Sequence, residues 1–242
     1  MTTIYNFLFI ALPYVALTVF LIGTIYRYKG TKFKFSSLSS EFLEGRKLFW
    51  GSVPFHYGII VLFFGHLIAF LFPKEILLWN GQPIRLLILE ISAFIFGISA
   101  LVGMLLLLIR RKTHPRIQMI TSKMDLIIEV LILAEIFLGL WIAYEYRWGS
   151  SWFASVLSPY LMSIFFLNPQ TDAVVNMPLV IQLHIALAFT IVLMIPFSRL
   201  VHLLVPPLSY LWRPYQKVIW YWNRKKIRSP KSVWSPTRSR NN

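Results

Sequence analysis

No cysteine occurs among the 242 residues. That absence excludes disulfides, thioether-attached haem and cysteine-ligated iron–sulfur clusters from this chain. Acidic residues are scarce too, nine Asp and Glu against 24 Lys and Arg, for a formal net charge of +15. Charged residues of both signs make up only 14% of the chain. A soluble domain carries about 25%, so water is not the solvent for most of this surface. No internal repeat stands out.

What is abundant is apolar length. Hydrophobic residues make up 57% of the sequence, gathered into runs of roughly 20 residues that match the hydrocarbon core of a bilayer. The runs predict an all-α integral membrane bundle of five helices, over about 4–26, 48–72, 86–109, 124–146 and 178–204. They form one domain, 1–222, followed by a basic tail, 223–242. The first run has no basic residue before it and no small-residue cleavage site, so it reads as a retained helix rather than a signal peptide. The apolar stretch 152–167 is too short to span. Pro159 interrupts it, Asn168-Pro169 closes it, and it reads as interfacial or re-entrant.

The basic residues set direction. The segments 27–47, 110–123 and 199–242 hold 21 of the 24 Lys and Arg, while 73–85 and 147–177 hold three. By the positive-inside rule the N-terminus is outside and the C-terminus cytoplasmic. The excess charge is thereby explained without nucleic acid, and the tail can rest on anionic lipid or a partner.

Four of the five histidines lie in or at the ends of spans, where ionisable residues are rare and usually functional. His56 and His66 are on the second run, His184 and His202 on the fifth or its inner end. Because these runs are antiparallel, depth alone pairs His56 with His202 toward the cytoplasm and His66 with His184 toward the outside. Two facing imidazoles are what a six-coordinate haem iron requires, and apolar helix bundles commonly house such a group. The pattern predicts two stacked b-type haems with all four histidines as iron ligands. The 18 residues from His184 to His202 would cover about 27 Å of straight helix, and the ten from His56 to His66 about 15 Å. Tilt, or a bend at Pro196, would reconcile the two. The alternative, histidines that merely hydrogen-bond between helices, fits a single residue better than four matched in depth. His114, in the basic segment Arg110-Arg111-Lys112-Thr113-His114-Pro115, reads as solvated.

The local sequences around these histidines carry a resemblance. Phe55-His56-Tyr57-Gly58-Ile59, Phe64-Gly65-His66 and Phe72-Pro73 resemble the second helix of the gamma subunit of respiratory nitrate reductase. Leu183-His184 and Pro196-Phe197-Ser198-Arg199-Leu200-Val201-His202 resemble its fifth. Pro206, Tyr210-Leu211, Arg213, Tyr215-Gln216, Pro13-Tyr14, Phe20-Leu21-Ile22-Gly23 and Pro115-Arg116 extend the likeness over most of residues 10–220. The resemblance implies a dihaem cytochrome b in the cytoplasmic membrane of a prokaryote. Such a subunit oxidises membrane quinol and passes electrons to an iron–sulfur subunit and then a molybdenum subunit in the cytoplasm. It implies the same ligand pairs, His66 with His184 (distal) and His56 with His202 (proximal). It also implies a quinol site at Arg85, Gly65 and His66. Arg85 stands where family members commonly have lysine, and Ala69 and Ala188 stand where they often have glycine.

Other polar residues within the runs admit several roles. Glu90, Glu135 and Glu145 are candidate proton carriers, although Glu135 is more readily read as paired with a polar neighbour or protonated. Asp125 and Glu129 lie close enough to the basic loop for ordinary pairing. Arg199 and Arg213 flank His202, where haem propionates or lipid headgroups would suit them equally. Ala93, Gly97 and Ala100 form a small-residue face for close helix packing or for the macrocycle. Two competing readings remain: a similar quinone-linked cytochrome serving sulfite reduction or nitrite oxidation, and a haem-free transporter or anchor. The transporter would show inverted repeats or broken helices.

Overall fold

The computed structural model describes residues 2–30 and 46–204. The basic tail, Arg213 and most of the first basic loop lie outside the described residues. The first span comprises α1 (Thr2–Asn6), a π-helical turn (Phe7–Ala11) and α2 (Leu12–Gly30). The second, third and fourth are α3 (Arg46–Leu71), α5 (Pro83–Thr113) and α7 (Lys123–Glu145). Short helices α4 (Pro73–Asn80) and α6 (Pro115–Met119) connect them. Next come α8 (Gly149–Trp152), a second π-helical turn (Phe153–Leu157), α9 (Ser158–Phe165) and α10 (Asp172–Val175). The last long helix is α11 (Leu179–Met194), followed by 3-10 turns over Ile195–Phe197 and Arg199–Leu204.

Five stretches are long and apolar enough to cross a membrane: Thr3–Gly30, Lys47–Leu71, Pro83–Thr113, Lys123–Glu145 and Leu179–Phe197. Large apolar side chains face outward along them, among them Ile22, Ile60, Ile95 and Val130, as lipid requires and water would penalise. The all-helical, five-span architecture is the one expected from the sequence. We call the end that carries the loops after α2 and α5 the basic end, and the opposite one the far end.

Local chemistry sets the helix limits. Pro73, Pro83 and Pro115 open their helices where a missing N–H costs nothing. Ser122 and Asp125 close a reciprocal capping box at the start of α7. Arg110, Arg111 and Lys112 occupy the last turn of α5, where the helix dipole favours cations.

Small residues then decide which helices touch. The most extensive packing is between α3 and α5. A Cβ on Gly58 would stand 2.5 Å from the Phe96 carbonyl oxygen and 2.7 Å from the Ala100 nitrogen. One on Gly103 would run into the Phe55 backbone. A Cβ on Gly97 would meet Leu140 of α7 at 2.7 Å, and Ala100 is fully buried. The small face on α5 is thus used for helix packing. α5 also packs on α7, and α11 packs on α2 and α7, but α3 and α11 do not pack closely on each other.

One region adds detail to the expected outline and a second departs from it. The segment 147–177, whose apolar part 152–167 is expected to be interfacial or re-entrant, contributes to one of the two buried apolar clusters. Leu157, Tyr160, Ile164 and Val174 are buried against Phe9, Ile142, Ile181 and Ile185. Tyr160 donates to the Phe9 carbonyl at 2.9 Å and Tyr14 to that of Ile164 at 3.1 Å. Burial holds the Tyr160 phenol far above its ordinary pKa, so it remains a donor. The fifth helix, expected to about Leu204, ends as α-helix at Met194. Pro196 has no N–H to continue the ladder, and Ser198 is extended, at φ −113° and ψ −179°.

Candidate functional site: two histidine pairs in the bundle

The break after Met194 brings His202 back to α3. The His56 and His202 rings lie with centroids 6.1 Å apart at an interplanar angle of 62°. Several contacts hold this turn. Arg27, at the end of α2, donates through Nη1 to the Pro196 and Ser198 carbonyls at 2.7 Å each. Arg199 reaches Asp125 Oδ1 through Nε at 3.0 Å and donates through Nη2 to the Ile120 carbonyl at 2.9 Å. Asp125 is 3% exposed, and it also lies 3.7 Å from Arg111, which makes a 2.7 Å hydrogen bond to Glu129. The guanidinium of Arg199, considered from sequence for haem propionates, is thus engaged in clamping the His202 turn to the start of α7.

The second pair sits toward the far end. His66, on α3, and His184, on α11, are close enough to influence one another electrostatically. His66 also meets Phe153 edge-on, with centroids 5.3 Å apart. A glycine lies next to His66 in the chain and another lies against the His184 ring. A Cβ on Gly65 would touch nothing within 4 Å, and one on Gly139 of α7 would lie 3.3 Å from His184 Cε1 and 3.8 Å from its Nε2.

Three of the four imidazoles share one arrangement. Nδ1 of His56 faces the Ser52 carbonyl at 2.8 Å, that of His66 the Leu62 carbonyl at 2.8 Å and that of His202 the Arg199 carbonyl at 2.7 Å. A carbonyl can only accept, so Nδ1 carries the proton and the Nε2 lone pair points away. The Ser52 hydroxyl adds a 3.0 Å contact to His56 Nδ1. In the fourth, Nδ1 of His184 lies 3.1 Å from Glu135 Oε1, off the line of a hydrogen bond, so both Nδ1 and Glu135 Oε2 lack one. No hydrogen bond engages Nε2 of any of the four among the described residues.

These features fit axial ligation of haem. A metal–imidazole bond of about 2 Å puts two rings that share an iron at centroids roughly 6 Å apart, and the His56–His202 pair meets that spacing. Carbonyl-held Nδ1–H groups and free Nε2 atoms are the ligand tautomer. A bare ion is less well served, since no cluster of three or more His, Cys, Asp or Glu suited to one occurs among the described residues.

The remaining sequence candidates are dispersed. Arg85 is in the first turn of α5 with its guanidinium over the Trp79 ring, 5.2 Å from the centroid. It makes no hydrogen bond or ion pair to Gly65 or His66 among the described residues. Glu90 accepts from the Ser150 amide and hydroxyl at 2.9 and 2.6 Å, and Asn80 donates to the Ser150 and Ser151 hydroxyls. The Ala69 carbonyl accepts from Ser158 at 3.0 Å. Sequence reasoning missed Arg27, whose one visible signal is a cation at the end of an apolar run. It also missed the contact of Glu135 with His184.

Fold and site together define a class: a multi-pass membrane helix bundle that carries two pairs of histidines. The profile of the nitrate reductase gamma subunit family matches residues 5–221, and the chain belongs to that family. It is 30% identical over 214 residues to the nitrate reductase gamma chain of Bacillus subtilis, covering 84% of this chain and 93% of that one. It is 32% identical over 217 residues to the respiratory nitrate reductase 2 gamma chain of Escherichia coli, covering 85% and 92%. The nitrate reductase-like protein NarX of Mycobacterium tuberculosis is 31% identical over 221 residues, or 84% of this chain, which spans only 32% of that longer protein.

Proposed function

We propose that this chain is the quinol-oxidising dihaem b cytochrome of a respiratory nitrate reductase. It would be oriented with its N-terminus outside and its basic end in the cytoplasm of a prokaryote. The observation that carries the reading is the set of four imidazoles, paired by depth, with no Nε2 in a hydrogen bond among the described residues and three of the Nδ1 atoms facing backbone carbonyls. Membership of the gamma subunit family supports it. His56 and His202 would hold one haem b near the cytoplasmic side, and His66 and His184 the other near the outer side.

When bound, these groups supply one-electron redox chemistry, which side chains of this composition lack. The chain's own residues bind and orient. Backbone carbonyls fix the tautomer of three ligands, and the Arg27 and Arg199 contacts hold His202 against α3. Gly65 precedes His66, and a Cβ added to it would meet nothing within 4 Å, while Arg85 puts a fixed positive charge at the same end. There a quinol oxygen would accept a hydrogen bond from Arg85, and quinol protons would leave to the outside. Electrons would be delivered inward to an iron–sulfur subunit and onward to a molybdenum subunit that reduces nitrate, so this chain itself contains no nitrate site.

The test is a pyridine haemochrome assay and a redox-titrated visible spectrum on the purified chain, with His66→Ala and His202→Ala alongside. Two b haems per chain are expected, each substitution removing a different redox component. A well-folded preparation without haem would overturn the proposal.

A further inference from the structure

One ligand is supported differently from the others, and the difference is chemical. Three Nδ1 atoms face neutral carbonyls of their own or the adjoining turn. His184 alone turns Nδ1 to a carboxylate on another helix, Glu135 Oε1 at 3.1 Å. Glu135 lies in the body of α7, its side chain 17% exposed. Among the described residues no Lys or Arg pairs with it. Its Oε2 is buried without a hydrogen bond. A carboxylate in an apolar bundle is costly unless something compensates it. Gly139, four residues on and therefore on the same face of α7, is the residue whose added Cβ would press on Cε1 of the same ring. α7 thus offers His184 an acid at Nδ1 and, at Gly139, a surface without a Cβ that lets Cε1 approach closely.

We propose that Glu135 is a positioning residue for the far-end haem, holding the His184 imidazole through Nδ1–H and giving that ligand an anionic character the other three lack. The inference rests on the dihaem reading. The 3.1 Å contact is not itself a hydrogen bond, so this role requires the ring to turn until its N–H meets Oε1. A carboxylate that accepts from a metal-bound imidazole makes the ligand more basic. Greater basicity favours the ferric state over the ferrous one, which carries less positive charge. The potential of the far-end haem is therefore lower than a neutral acceptor would leave it.

The decisive experiment is a potentiometric titration of the haem-loaded full chain, wild type against Glu135→Gln, with the low-spin ferric resonance signal recorded on the same samples. Glutamine keeps the shape and an accepting oxygen but removes the charge. The expected result is that one component shifts by about tenfold in favour of reduction, about 59 mV upward for one electron. The other component stays where it was. The shifted one is the component that His66→Ala removes, and its ferric signal moves with it. Unchanged potentials for both components overturn the inference while leaving the dihaem reading intact. A wild-type chain without two b haems overturns that reading and the inference together. Should Glu135→Gln fail to retain the far-end haem, Glu135→Asp decides. Retention at the wild-type potential supports a required carboxylate, and loss in both variants shows that Glu135 only packs.

Discussion

The two ends of this bundle hold similar histidine pairs by different physics. At the far end, apolar burial dominates: Phe9, Leu157, Tyr160, Ile164 and Val174 form a sealed cluster, pinned by tyrosine hydroxyls on backbone carbonyls. At the basic end, Asp125 joins Arg111 and Arg199, while Arg27 satisfies two carbonyls at the helix break. The contrast follows from where charge is tolerated. Ion pairs sit at the basic end, and residues 149–165, the cap at the far end, are held by apolar packing and a few hydrogen bonds, those to Glu90 among them. A histidine on a regular helix, such as His66, is placed by that helix alone. His202, beyond a proline break, needs partners from two other elements.

Substitutions can break this comparison, beginning with the one that should abolish it. Gly103→Leu forces a side chain into the Phe55 backbone, at the closest approach of α3 and α5. Since α3 carries a histidine of each pair, both ends should fail, with no monodisperse protein in detergent. Normal yield with haem at either end would show that the helices can part there.

Asp125→Ala should act on one end only. It leaves Arg199 and Arg111 without their buried partner and removes half of the α7 capping box. Arg199 is 42% exposed on its side chain, so the loss should be about 2 kcal/mol, below that of a fully buried pair. In a denaturant titration followed in the visible spectrum, the component that His202→Ala removes should be lost first. Simultaneous loss of both components would argue against a local clamp.

Asn80→Ala should produce the smallest effect, at the opposite end. It deletes two donors to the Ser150 and Ser151 hydroxyls, worth about 1 kcal/mol. Limited proteolysis should cut faster near Trp148, a residue held at φ 66°, while the basic-end component keeps its potential. Cleavage at the wild-type rate would mean that Glu90 and the apolar cluster suffice to hold the cap.

Much of this was legible in the sequence, for physical reasons. Apolar runs of bilayer length announce five spans, because backbone polar groups in lipid must be satisfied within a helix. Antiparallel order then sorts four histidines into two depths without any contact being known. Arg27, Glu135 and the cap escaped because their partners are remote in sequence. Arg27 meets Pro196 and Ser198, Glu135 meets His184, Arg199 meets Asp125 and Tyr14 meets Ile164. Local periodicity contains no term for such pairs. The mismatch between a ten-residue and an 18-residue histidine spacing is likewise met by a break whose direction is set by tertiary contacts.

By itself, then, the sequence determined the solvent, the number of spans and the order of the histidines along them, since each depends on composition and order along the chain. Only the tertiary structure decided how His202 returns to His56, which acid stands behind His184 and what seals the far end. Those depend on side chains from distant elements meeting at hydrogen-bonding distance, which no local pattern encodes.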